Sequence, residues 1–311
     1  MRYVHVLSKG DLQDIQRAAV DLAYTSMLAG HVVAVAADKH SIGWDLATRR
    51  GIRRQPVAID ARFNMFAPMR LRKPNTDTGK VTYLAYSQQA LDVAILAKKL
   101  HQGRDVAVEY MSTCKGQNIL PGTDAVHNFI PIFRPIGNAH KDSTCDQPTL
   151  LYFGGITPEC ELETLLEAMP LIKGLPLRLK VAGTGEGRTA MPIVRRSRQM
   201  DIPVGIEWLG DVDDMAETVS SATIAAVPGS TIADAGKILT AFSCGTPVVF
   251  NKEALENAGI ECPIAGIHAT KEEIAEAVTR LYNDTEERRT LAIAGKVFFE
   301  SLSNQKSIFQ I

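Results

Sequence analysis

The chain has 311 residues, 45% hydrophobic, 22% charged and 6% aromatic, with a formal net charge of −1. That is a soluble, globular balance with length for two domains of ordinary size, and no apolar run approaches the roughly 18–20 residues of a membrane span. Charge is uneven: residues 1–147 hold 19 Lys and Arg against 13 Asp and Glu, while the remainder holds 15 against 22. A basic half points to a face that meets an anion, and nucleic acid, an anionic bilayer and a phosphorylated acceptor all fit at this point.

The first β-type run is Tyr3–Leu7, followed by a polar turn at Ser8–Asp11. Leu12, Ile15, Ala19, Leu22, Ala23 and Met27 then recur at helical spacing, and Gly30 suits the position just past a helix end. His31–Ala36 is again β-type, so the opening reads as a βαβ unit of a parallel sheet. Residues 41–80 are irregular and strongly basic. Val81–Tyr86 reads as a strand, Gln88–His101 as a helix and Val106–Tyr110 as a strand, with one short apolar run at Val126–Phe133 and a linker within 134–148. The second half alternates more plainly. Strands are expected at Leu150–Phe153, Leu177–Ala182, Ile206–Leu209, Thr223–Val227 and Pro247–Phe250, and helices at 161–173, 188–200, 213–221, 234–244, 271–283 and 285–302. The expected class is α/β, two Rossmann-like doubly wound domains. Their expected extents are 1–140 and 148–295, and a helix over 296–311 is expected to return to the first domain.

Several stretches carry chemistry. Val227-Pro228-Gly229-Ser230 leads from a strand into a helix expected to begin near Asp234 and to end at Gly245. A helix N-terminus beneath a loop of small residues presents unpaired backbone N–H groups, which suits a phosphate or diphosphate. Lys237 adds a positive charge there; a plain βαβ connection explains the glycines equally. Gly183-Thr184-Gly185 follows a strand and admits close backbone approach, or serves only as a turn. Asp211-Val212-Asp213 is a D-x-D string that can hold a divalent cation, but helix N-capping by Asp213 accounts for it and no metal site is expected. Glu109, in an apolar strand, is the candidate catalytic carboxylate, with a solvated edge-strand side chain as the other reading.

The cysteines at 114, 145, 160, 244 and 262 include no C-x-x-C pair, which argues against a zinc site or a disulfide framework. The N-terminus is too short and polar for a signal peptide, so a cytoplasmic setting is expected. Arg49, Arg50, Arg53, Arg54, Arg62, Arg70, Arg72 and Lys73 interleave with Trp44, Phe63, Met65, Phe66, Met69 and Leu71. Such a segment can lie on an anionic membrane or grip nucleic-acid phosphates, or its apolar residues can point into the core. No nucleic-acid-binding motif is present, and no nucleic-acid partner is expected.

In order along the chain, Leu150–Gly155, Thr164–Ala168, Gly183–Gly185, Trp208–Gly210, Val227–Ser230, Cys244–Val249, Ile274–Val278 and Asp284–Arg289 resemble the family-4 glycosyltransferases, which have the two-domain GT-B fold. Leu22-Ala23 and Gly30–Val35 are similar to the end of that family's first βαβ unit. The resemblance implies transfer of a sugar from a nucleotide-sugar to an acceptor hydroxyl, usually with retention and without an essential metal. The donor is a substrate, so no separate cofactor is implied. On this resemblance Gly154, Gly155, Gly183, Thr184, Gly185, Ser230, Gly236, Lys237, Ile238 and Thr240 are the candidate donor-binding residues, and the acceptor is a glycan or lipid-linked. A cell-surface glycan role at the inner membrane face is the expected setting. The chain departs from the family pattern at Gly155 and Cys160, where Arg and Lys usually face the diphosphate, and at Ile232 and Thr240, where paired glutamates usually stand. A non-catalytic member that binds a partner or glycan through a retained fold is the second reading.

Overall fold

In the computed structural model the described residues are 1–9, 13–59, 66–71, 80–100, 105–112, 120–130, 132, 147–156, 161–172, 174–183, 185, 187–200, 202, 205–212 and 214–304. The chain divides into two units, Met1–Pro131 and Ile132–Ile311. The linker expected within 134–148 lies almost wholly outside the described residues.

The first unit is built on six parallel strands: β1 (Arg2–Val6), β2 (Val32–Ala37), β3 (Arg53–Pro56), β4 (Val81–Ala85), β5 (Val106–Ser112) and β6 (Ala125–Asn128). Their order is β3-β2-β1-β4-β5-β6, the doubly wound arrangement. Helices α1 (Gln13–Leu28), α2 (Ile42–Arg49), α3 (Ala67–Arg70) and α4 (Gln88–Leu100) complete it. Val4, Val6, Tyr83, Ala85 and Val108 form one sheet face, packed on Ala90, Leu91, Ala94 and Ala97 of α4. The basic stretch 41–80 contains more regular structure than its composition suggests. Ser41 starts α2 by accepting a hydrogen bond from the Trp44 backbone. Arg53, Arg54 and Pro56 are exposed on β3, with only Gln55 buried, as befits a sheet edge.

The second unit has five parallel strands, β7 (Thr149–Phe153), β8 (Arg178–Ala182), β9 (Ile206–Gly210), β10 (Ile224–Val227) and β11 (Val248–Phe250), in the order β11-β10-β7-β8-β9. Its helices are α5 (Leu162–Ala168), α6 (Gly187–Ser197), α7 (Met215–Ser220), α8 (Ile232–Cys244), α9 (Lys252–Asn257), α10 (Lys271–Asn283) and α11 (Thr285–Asn304). Helices α5 and α10 bury Leu162, Leu165, Leu166, Ile274, Val278 and Leu281 against Leu150, Tyr152, Leu179 and Val181. On the opposite face lies α8, whose Phe242 meets Phe250 of β11 and Phe298 of α11 edge-on. Being covered on all sides, α8 is apolar around nearly its whole circumference.

Both sheets are parallel and doubly wound, as the alternation of elements predicts. The end of the chain differs from the expectation of a separate helix over 296–311. Through residue 304 it is the unbroken continuation of α11. The Phe298–Phe242 contact and the fit of Gly295 against Phe242 hold it in the second unit, and residues 305–311 lie outside the described residues.

Candidate donor site at the edge of the second sheet

Strand order sets the position of the site. β7 and β10 are neighbours, yet the chain leaves them toward opposite faces, to α5 and α8. Loops that part in this way leave a crevice at the carboxyl ends of the strands. Its walls are Gly154–Ile156 after β7, Gly183 and Gly185 after β8, and Pro228–Ser230 with the start of α8 after β10.

The glycines let these loops close on one another. Gly183 has φ +139°, and a Cβ there would lie 1.9 Å from the carbonyl oxygen of Gly154. A Cβ on Gly185 would lie 2.3 Å from the carbonyl oxygen of Ile156. Backbone hydrogen bonds knit the same edge: Gly154 N–H donates to Ala182 O at 2.9 Å and Gly183 N–H to Gly210 O at 2.6 Å. Tyr152 donates its hydroxyl to Gly155 O at 2.9 Å, and Asn257 donates to Ser230 O at 2.9 Å. Thr184 lies outside the described residues, as does Cys160.

The start of α8 differs from the expected one. The helix begins at Ile232, not near Asp234, and is capped by Thr231 in a reciprocal box with Asp234. The Asp234 carboxylate accepts from Thr231 N–H at 3.0 Å and from the Thr231 hydroxyl at 2.6 Å, and its other oxygen accepts from Lys237 Nζ at 2.8 Å. Lys237 and Asp234 are 2% and 1% exposed, and the ammonium lies 5.3 Å from the Tyr152 ring centroid. So Lys237 is not in the first turn, and in this conformation its charge is already matched by Asp234.

Three further candidates lie deeper in α8. Gly236, Ile238 and Thr240 are buried past the first turn, where backbone N–H groups are engaged within the helix. Thr240 is 0% exposed and donates to Gly236 O at 2.7 Å, which directs its hydroxyl to its own helix rather than to a ribose. The backbone N–H groups best placed for an anion belong to Ile232 and Ala233, which a helix started late in the sequence passes over.

Acidic groups surround this point. Glu161, before α5, has φ +50° and no capping hydrogen bond. Burial, then the charges of Asp234 and Glu253, raise its pKa above the usual glutamate value. Elsewhere, Asp214, not Asp213, caps α7, accepting from Glu217 N–H at 2.9 Å; Asp213 lies outside the described residues, and among the described residues no cluster is suited to a metal ion.

Glu109 has a setting unlike the expected strand end. It stands mid-strand on β5, with Tyr110, Met111 and Ser112 still to follow, so its side chain projects from a sheet face. Its carboxylate meets His127 Nε2 on the edge strand β6 at 3.1 Å, a cross-strand pair of the kind that supports a sheet.

Residues 147–284 match the family model described as glycosyl transferases group 1. No curated protein matches in sequence. Among solved structures, the chain is similar in fold to Anabaena HepE in complex with UDP and glucose, with TM-score 0.70 and 14% identity over 99% of this chain and 100% of that one. It is also similar to sucrose-phosphate synthase from Thermosynechococcus elongatus, with TM-score 0.64 and 15% identity over 99% and 96% of the two chains. WaaG, a glycosyltransferase involved in lipopolysaccharide biosynthesis, has TM-score 0.59 and 13% identity over 99% and 97%.

Proposed function

We propose that this chain, a glycosyltransferase by its group 1 match and GT-B fold, transfers a sugar from a nucleotide-sugar bound at the β7–β10 crevice to an acceptor hydroxyl. The observation that carries the reading is the start of α8 at the topological switch point. Backbone N–H groups converge there on the place where an open α/β sheet takes its ligand. The resemblance to the family-4 enzymes supports retention and metal independence, with a glycan or lipid-linked acceptor in cell-surface glycan synthesis. UDP is the first nucleotide to try, since HepE is described with UDP and with UDP-glucose.

A panel of UDP, GDP, ADP and CMP sugars in a thermal-shift assay tests the reading. One nucleotide is expected to stand out. A ligand at a hundred times its Kd stabilises by about 2.7 kcal/mol, which is roughly 5–10 °C for a domain of this size. A flat panel at millimolar concentration favours the second reading, a non-catalytic subunit of the same fold. The feature that favours that reading is Asp234, a carboxylate standing where an anion is to be received.

The setting we propose is cytoplasmic and peripheral to an anionic membrane. In the first unit Phe66 and Met69 are each 62% exposed beside exposed Arg70. Arg54 stacks over Trp44 at 4.9 Å and Arg50 pairs with Asp21, so part of the basic stretch serves the fold, and Leu71 is buried in the core. Arg62, Arg72, Lys73, Phe63 and Met65 lie outside the described residues. Co-sedimentation is expected with vesicles rich in phosphatidylserine and not with neutral ones. Each basic residue near the surface contributes about 1 kcal/mol, so Arg53→Glu/Arg70→Glu is expected to weaken binding more than tenfold; equal binding to both vesicle types refutes the membrane reading.

A further inference from the structure

The start of α8 already holds an anion, and it is the protein's own. Four residues at fixed spacing build the arrangement: Gly229, Thr231, Asp234 and Lys237. Thr231 fixes one carboxylate oxygen of Asp234 through its N–H and hydroxyl, and Lys237 takes the other. Gly229 makes room, since a Cβ at that position would lie 2.3 Å from the Asp234 carboxylate. From Lys237 the set reaches across the strand ends to Tyr152, whose hydroxyl binds the Gly155 carbonyl in the β7 loop. A carboxylate on a helix-terminal N–H and a lysine makes the contacts a donor phosphate would make there.

We infer that Asp234 is a specificity-determining residue of the donor site: its carboxylate stands at the phosphate position, and the donor diphosphate takes Lys237 from it on binding. The inference rests on the reading of this crevice as the nucleotide-sugar site and adds how that site is regulated. Donor affinity is held down by the strength of an internal ion pair. A second carboxylate, Glu161, faces Asp234 with Glu253 nearby, so displaced negative charge meets more negative charge. Only a ligand carrying more than one negative charge, such as a nucleoside diphosphate, competes well against a single carboxylate. A nucleoside or a neutral sugar does not compete.

The test is calorimetric titration of UDP into wild type, Asp234→Asn and the double variant Asp234→Asn/Lys237→Met, with melting temperature as the folding control. Asparagine keeps an acceptor for Thr231 and removes the charge that holds Lys237. Its melting temperature is expected to fall, because Lys237 is left buried without its counter-ion, and UDP is expected to bind at least about tenfold tighter, a charge-assisted contact being released to the ligand. The double variant is expected to lose that gain. Asp234→Ser, smaller and neutral, serves in place of the asparagine variant should that one fail to melt cooperatively. If wild type binds UDP and neither neutral variant binds tighter, Asp234 does not compete with the donor and the inference is wrong while the site reading stands. If a neutral variant binds where wild type does not, the inference is supported. If none of the folded proteins binds UDP or the other nucleotides of the panel, the site reading itself fails and takes the inference with it.

Discussion

Gly183→Ala is expected to destabilise the second unit by about 3–5 kcal/mol and to abolish nucleotide binding. Two penalties act at once. At φ +139° an L-residue is held in a backbone region that costs about 1–3 kcal/mol. The added Cβ also falls 1.9 Å from the Gly154 carbonyl oxygen, a backbone atom that cannot turn aside as the tip of a side chain can, and forced overpacking costs about another 1–3 kcal/mol. Relief requires the β7 and β8 loops to part, which breaks the Gly154–Ala182 and Gly183–Gly210 hydrogen bonds that shape the crevice. Gly205→Ala separates the two terms. Gly205 also has a positive φ, +82°, but nothing lies within 4 Å of its Cβ position, so only the strain term applies and the crevice is untouched. Melting temperatures should therefore fall by on the order of 10 °C for Gly183→Ala and by only a few degrees for Gly205→Ala, at about 2–4 °C per kcal/mol. Equal losses would mean that the approach of the two loops is not what Gly183 serves.

How far the sequence reveals this molecule depends on where each residue sits relative to solvent. Strands β7, β8 and β10 are covered on both faces, so their residues are continuously apolar and legible as strands. Strands β3 and β6 stand at sheet edges, where half the environment is water; Arg53-Arg54-Gln55-Pro56 carries no β pattern, and only its partner β2 makes it a strand. Gly183-x-Gly185 is legible as a turn for close approach, since no other residue tolerates that backbone. What approaches it, the Gly154 carbonyl, is 29 positions away in sequence and invisible there. The reading of α8 as a set of donor contacts fails in an instructive way. Starting the helix at Asp234 places Lys237 in the first turn and makes it a phosphate ligand. The Thr231-x-x-Asp234 box is present in the sequence and starts the helix earlier. Asp234 and Lys237 also stand three apart, a spacing at which helix side chains meet. Their burial is not legible, because charged residues are assumed to face water unless structure pairs them.

The first unit should be more sensitive to acid than its exposed carboxylates alone would make it, and His5 should be the cause. His5 is 0% exposed at the centre of the sheet, on β1 between β2 and β4. Its Nδ1 lies 2.7 Å from the Tyr86 hydroxyl, which donates to it, and the two rings stack at 5.9 Å. Nε2 has no hydrogen-bond partner among the described residues. Tyr86 is closed off in turn by Phe129, edge-on at 4.9 Å. Burial without a counter-ion disfavours imidazolium and pushes the His5 pKa down from 6.5 to about 3. Below pH 6.5 the unfolded chain takes up a proton at this histidine that the folded chain refuses, so stability is full above pH 6.5 and falls as pH drops toward 3. At about 1.4 kcal/mol per unit, the whole shift corresponds to a loss of about 5 kcal/mol. His5→Gln keeps an acceptor for the Tyr86 hydroxyl and does not titrate. The two tryptophans fall one to each unit, Trp44 and Trp208, so Trp208→Phe leaves Trp44 as a reporter of the first. Urea midpoints read from Trp44 fluorescence between pH 7 and pH 4 should fall more steeply in the parent than in the His5→Gln variant. His5→Gln should be the less stable protein at pH 7, where it gives up the ring stack, and should overtake the parent as the pH falls. Parallel profiles for the two proteins would show that His5 takes its proton freely in the folded state, and that water or a moving side chain reaches Nε2.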